Sequence, residues 1–158
     1  MRHHGRQSLT GILALVATVL AFLLYSVNLD AQAHLKQRLE ALATHAGLAE
    51  AALREVERDP SEMGERTKAM VHLESLNLGS RSLGQWAGLS VAAGRPGLYP
   101  INTLQSGNAN TSDLAATRAN LAASELALRE VAHKRFVRKT DVEQVLKRLE
   151  TLSSQAAK

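Results

Sequence analysis

Residues 9–27 read LTGILALVATVLAFLLYSV, and the interpretation of this run decides the fold. It lies within 23 consecutive residues that carry no formal charge, between Arg6 and Asp30. About 20 apolar residues in helix cross a bilayer core, so the run is long enough to span once. The rest of the chain holds no second such run. Leu9 and Val27 therefore bound the expected transmembrane helix, with residues 1–8 as a short head.

The flanks suggest how the run is used. Arg2 and Arg6 precede it, while Lys36 and Arg38 follow it, diluted by Asp30 and Glu40. Lys and Arg counts tie across the run under the positive-inside bias, and a cytoplasmic head is expected from its shortness and from the added charge of the amino terminus. Ala31-Gln32-Ala33 resembles a signal-peptidase box. A cleaved signal, however, has an apolar region of about 7–15 residues, and this one is longer. The helix-favouring pattern also continues through the box. A retained anchor is expected, with the tail outside the cytoplasm. This places the chain in a bacterial inner membrane as a single-pass protein with a periplasmic C-terminal region.

Beyond the anchor, Leu35, Leu39, Leu42, Ala46, Ala49, Leu53 and Val56 are spaced alternately by four and three residues. That is an a/d heptad seam. It fits an amphipathic helix packed within the chain, and it equally fits a coiled coil between chains. Residues 28–79 are thus expected to be a helical stalk. Asp59-Pro60-Ser61-Glu62 punctuates it: Asp59 suits an N-cap, Pro60 a first helical position, and Glu62 a capping box. A second helix is expected to about Leu78, with Met63, Met70, Leu73 and Leu76 on one side and Gly79 as its stop.

Residues 80–111 break the pattern. Together with Gly79 this region holds six of the ten glycines, two of the three prolines, the only tryptophan, Trp86, and Tyr99. So long an irregular connection is usually functional or disordered. It reads as an elbow, or as a docking loop anchored by Trp86 and Tyr99. From residue 112 helix resumes, with Leu114, Leu121, Leu128, Val142 and Leu149 on one seven-residue repeat and Val131, Val145 and Leu152 beside it. The basic run His133 to Lys139, with Lys134, Arg135, Arg138 and Lys139, interrupts that repeat. Thr140 and Glu143 offer a capping box for a restart there.

Composition agrees with long helices. Aromatics are 3% of 158 residues, and cysteine is absent, which excludes disulfides, thiolate zinc sites and a cysteine nucleophile. The net charge of +4 is uneven: −3 over residues 28–79 and +3 over residues 112–158. His34, His45, His72 and His133 lack metal-ligand spacing and read as solvated helix-face residues. No serine sits in a G-x-S-x-G setting, and no glycine loop fits a phosphate cradle. The expectation is a non-enzymatic protein without cofactor or metal. Its partners are expected to be membrane lipid, other envelope proteins or a second copy of itself, and not nucleic acid. Lys134, Arg135, Arg138 and Lys139 are candidates for an anionic partner.

Val91-Ala92-Ala93-Gly94-Arg95 with Leu98, then Ser106-Gly107 with Asn110, Ser112, Leu114 and Ala115, and finally Leu128-Arg129-Glu130, follow one another in an order that resembles inner-membrane spanins of tailed phages. That resemblance implies a signal anchor, a periplasmic helix, a hinge and a C-terminal helix. It also implies a role in host lysis with an outer-membrane lipoprotein partner. Gly79-Ser80-Arg81-Ser82-Leu83-Gly84 followed by Leu98-Tyr99-Pro100 resembles minor pilus subunits of type IV secretion systems, which are helical and exported. Gly5 and Thr10 around the start of the apolar run bear a thinner resemblance to pilin-like proteins. The expected fold is all-α: a membrane-spanning helix, a helical or coiled-coil stalk, an elbow loop and C-terminal helices that can fold back on the stalk.

Overall fold

The computed structural model describes residues 4–88, 104 and 111–155, with side chains for 13–88, 104 and 113–150. The described residues are all-α, in four helices: α1 His4–Arg58, α2 Met63–Ala87, α3 Thr111–Ala132 and α4 Lys139–Gln155. Two compact units divide the chain, Met1–His34 and Leu35–Lys158.

The first unit is the N-terminal part of α1. Its helix passes unbroken through Ala31-Gln32-Ala33, with neither glycine nor proline to stop it. Leu15, Phe22, Leu24 and Val27 are exposed by 66%, 69%, 72% and 65%. These side chains point to all sides of the helix. Thr18 and Ser26 turn back on their own backbone: Thr18 Oγ1 donates to Ala14 O at 2.9 Å, and Ser26 Oγ to Leu23 O at 2.9 Å. Such back-bonding satisfies these two donors in an apolar setting.

The second unit is a four-helix bundle. Every seam residue named above is buried in it, from Leu39, Ala46, Ala49 and Leu53 at 0% exposure to Leu35 and Leu42 at 4%. They share one core with Leu73, Leu76 and Leu83 of α2, Leu121 and Leu128 of α3, and Val142, Leu146 and Leu149 of α4. The seam is therefore covered by helices of its own chain. His45 meets His72, and Leu42 meets the backbone at Gly79, so α1 and α2 form an antiparallel hairpin. Arg118 reaches Glu50 and Glu57, while Lys36 reaches Arg135, so α3 also runs antiparallel to α1. Lys134 pairs with Asp141 across the tight α3–α4 turn.

This connectivity explains the long irregular stretch. α2 ends at the Leu35 end of the bundle, and α3 begins at the opposite end, level with the turn after Arg58. The chain must return the length of the bundle between two parallel helices, which takes a long crossover. Leu104, from within that crossover, is buried in the core at 3% exposure.

Several local expectations are corrected. α2 does not stop at Gly79 but runs on to Ala87, so the irregular region does not begin at residue 80. Ser80, Leu83, Gly84 and Ala87 continue the buried face of the helix, and packing outweighs the poor helix propensity of glycine. The stop is Gly88, at φ 71° with its N–H bonded to Gln85 O and Gly84 O. Asp59 is not the N-cap of α2. Its carboxylate accepts from Ser61 N at 3.0 Å and Ser61 Oγ at 2.6 Å, which closes a turn, and the helix starts at Met63. Met63 itself is 70% exposed rather than on the core side. The restart near Lys139 is present, but Asp141 performs the capping by accepting from Arg138 N at 2.8 Å.

Candidate functional site

Two surfaces stand out, one in each unit. The first is the apolar helix. Over its most apolar 18 residues the mean hydropathy is 1.9, and none of that window is buried within the protein. A helix that is apolar all round belongs in a protein core or in a membrane. Val27 lies on this helix with its side chain exposed, and Leu9 lies on its backbone. By length and composition this is one helix able to cross a bilayer.

The second surface is the end of the bundle at which Leu35 lies. The expected docking residues divide there. Trp86 is 50% exposed on the last turn of α2, two residues before Gly88. Lys134, Arg135, Arg138 and Lys139 are all exposed on the α3–α4 turn and the start of α4. Two of the four cations are compensated locally. Lys134 Nζ lies 2.6 Å from Asp141 Oδ1, and Lys139 Nζ lies 3.9 Å from Glu143 Oε1. The Lys134 ammonium and the Arg138 N–H together hold the Asp141 carboxyl below its ordinary value. Arg135 instead sits 5.7 Å from the ring centroid of Phe136. Tyr99 and the spanin-like positions 91–98, 106, 107 and 110 lie outside the described residues. Of the rest, Leu114 and Leu128 are core residues, and Arg129 pairs with Glu125.

The reading of the histidines as solvated is corrected for two of them. His45 and His72 are half-buried at the α1–α2 interface, Nδ1 to Nδ1 at 3.2 Å, with ring centroids 5.5 Å apart. Burial, and then the neighbouring His45, lower the His72 pKa. His45 lines an open cleft of about 360 Å³ together with Arg38, Ala41, Leu42, Ser75, Gly79 and Ser82. The sequence holds no signal that singles out this pair, since His34 also immediately precedes a buried residue, Leu35, and is itself exposed. Among the described residues no group of three or more metal-ligating side chains is assembled.

A further feature escaped the sequence. Arg118 of α3 bridges to both Glu50 and Glu57 of α1. Burial alone would raise the Glu50 carboxyl, but hydrogen bonds from Arg54 and Arg118 outweigh it and hold the group below its ordinary value.

The fold and its surfaces thus define a class: a helical bundle whose first helix also carries a bare apolar stretch of membrane-spanning length. No protein-family model, curated protein or solved structure matches the chain.

Proposed function

We propose that this is a single-pass, membrane-anchored protein of the bacterial envelope that acts through contacts rather than by turning over a substrate. The observation that carries the proposal is the bare apolar helix, whose large side chains stay exposed among the described residues. The N-terminus is placed in the cytoplasm and the bundle in the periplasm, on the strength of the short head, with Arg2, Arg6 and the charge of the amino terminus. Its partners are membrane lipid and other envelope proteins. A seam-to-seam homo-oligomer would have to draw Leu39 and Leu53 out of the core, so any self-association is placed on outer faces of the bundle. The test is extraction of membranes at alkaline pH and with detergent. The protein should stay in the pellet at high pH and be released only by detergent; release by alkali alone would remove the anchor reading.

Within that class the specific role proposed first is spanin-like, in host lysis, with an outer-membrane lipoprotein as partner. It rests on the order of anchor, helix, long connection and helix. Co-expression with such a partner, after wall degradation, should disrupt the outer membrane; intact outer membranes with both proteins present would eliminate the role. The second reading is a structural subunit of a type IV secretion or pilus assembly. One observation favours it: the seam is used inside the bundle, which leaves a self-contained body suited to docking by its surface. Fixed-stoichiometry copurification with several envelope proteins is expected in that case, and isolation alone after crosslinking would count against it.

A further inference from the structure

Charge is distributed unequally between the two ends of the bundle. At the end away from Leu35, acidic and basic groups neutralise each other: Arg58 with Glu55, Lys68 with Glu65, and Arg118 with Glu57. At the Leu35 end the cations are in surplus. Lys36, Arg38, Arg129, Lys134, Arg135, Arg138 and Lys139 gather there, against Glu40, Glu130, Asp141 and Glu143. Neither Lys36 nor Arg135 has a carboxylate partner among the described residues; Lys36 Nζ donates to the Arg135 carbonyl at 3.1 Å.

Two half-exposed aromatics lie among these cations, Phe136 at 49% and Trp86 at 50%. Lys139 Nζ comes within 3.3 Å of where a β-carbon on Gly88 would stand, which brings the end of α2 and the start of α4 together. The turn is held in place. Val137 is buried at 2% exposure, Asp141 fixes the Arg138 N–H, and Lys36 fixes the Arg135 carbonyl. Phe136 is therefore presented outward by a built turn rather than by a loose one.

Cations around exposed aromatic rings are the composition that settles at a membrane–water interface. The chain itself suggests which interface. Lys36 follows Leu29, the end of the apolar stretch, by seven residues. Seven residues of helix rise by about 10 Å, roughly one Debye length, so a cation at Lys36 is within electrostatic reach of anionic headgroups of the leaflet from which the run emerges. We propose that the Lys36–Trp86–Arg135–Phe136–Lys139 end of the bundle is a lipid-binding surface that seats on anionic phospholipid. This inference rests on the anchor reading above.

Trp86, the only tryptophan, reports on the surface directly. The full chain is reconstituted into phosphatidylcholine vesicles with and without phosphatidylglycerol. Flotation tests the anchor, and Trp86 fluorescence tests the seat. The protein should float with both vesicle types. Only phosphatidylglycerol should shift Trp86 emission to shorter wavelength and reduce its quenching by acrylamide, and high salt should reverse both effects. The exposed-site double variant Arg135→Gln, Lys139→Gln should lose the lipid response with unchanged helicity by circular dichroism. Flotation with both vesicles and a Trp86 signal indifferent to phosphatidylglycerol would overturn the lipid surface and leave the anchor standing; the cationic end would then face a protein. A double variant that responds like the natural chain would also overturn it. Failure to float with either vesicle would overturn both.

Discussion

At Gly79 the Leu42 side chain of α1 packs against the bare backbone of α2. A β-carbon there would overlap Leu42 Cδ2, and Leu42 is itself buried at 4% exposure. Leu42 must then shift from its packed position, and such overpacking costs up to about 1–3 kcal/mol. Gly79→Val should lower unfolding stability by that amount in chemical denaturation, although valine is the better helix former. Leu39, at 0% exposure, makes the opposite case. Leu39→Ala should cost about 2–5 kcal/mol, read as a lower denaturation midpoint, because the seam is the bundle's own core. If it serves a second chain instead, the substitution will change oligomeric state and leave the fold intact. The heptad spacing made the seam residues legible, but spacing alone does not say which chain covers them. Gly79 was misread for a related reason: a glycine that stops a helix and a glycine that lets two helices touch look alike in sequence.

At the scale of elements, the α1–α2 interface carries a pH dependence. Burial, and then His45, lower the His72 pKa in the folded state. Above about pH 6.5 the ring is neutral in both folded and unfolded chains, so it has no effect on stability. Below that, the unfolded chain takes up the proton first, and stability declines until the folded pKa is also passed. Denaturation at about pH 7.5 and about pH 5.5 should show the loss, and His72→Gln should reduce it. Glu50 and Asp141 do not confuse this window. Both are held below their ordinary values, so their contribution persists above those values and is withdrawn only at more acid pH. The start of α4 gives a separate test: removing its cap by Asp141→Ala should cost about 0.5–2 kcal/mol, measured by thermal or chemical unfolding. The sequence placed the restart near Lys139 correctly but chose the wrong carboxylate. Which side chain caps a helix depends on its first residue, and boundaries are the least legible part of a helix. The long connection before α3 was legible as irregular, but its reason was not. That reason is the parallel placement of α2 and α3, which no local pattern records.

For the whole molecule, one helix carries two kinds of surface, a bare apolar stretch long enough to cross a bilayer and a heptad seam buried by its own chain. The apolar stretch was fully legible, because length and absence of charge are local properties. The cationic end was only partly so: the run His133 to Lys139 was visible, but Lys36 and Trp86 join it only through the bundle. Placing a charge mid-membrane costs about 2.5–3.5 kcal/mol, so Leu20→Arg should reduce the fraction of protein that resists alkaline extraction. The absence of cysteine permits the most direct test. Single substitutions Leu20→Cys, Val27→Cys and Ala51→Cys would be probed in intact inner membranes with a membrane-impermeant maleimide. Leu20→Cys should stay unlabelled until detergent is added, while Ala51→Cys is labelled from the periplasmic side. Ready labelling of Leu20→Cys in intact membranes would contradict the account.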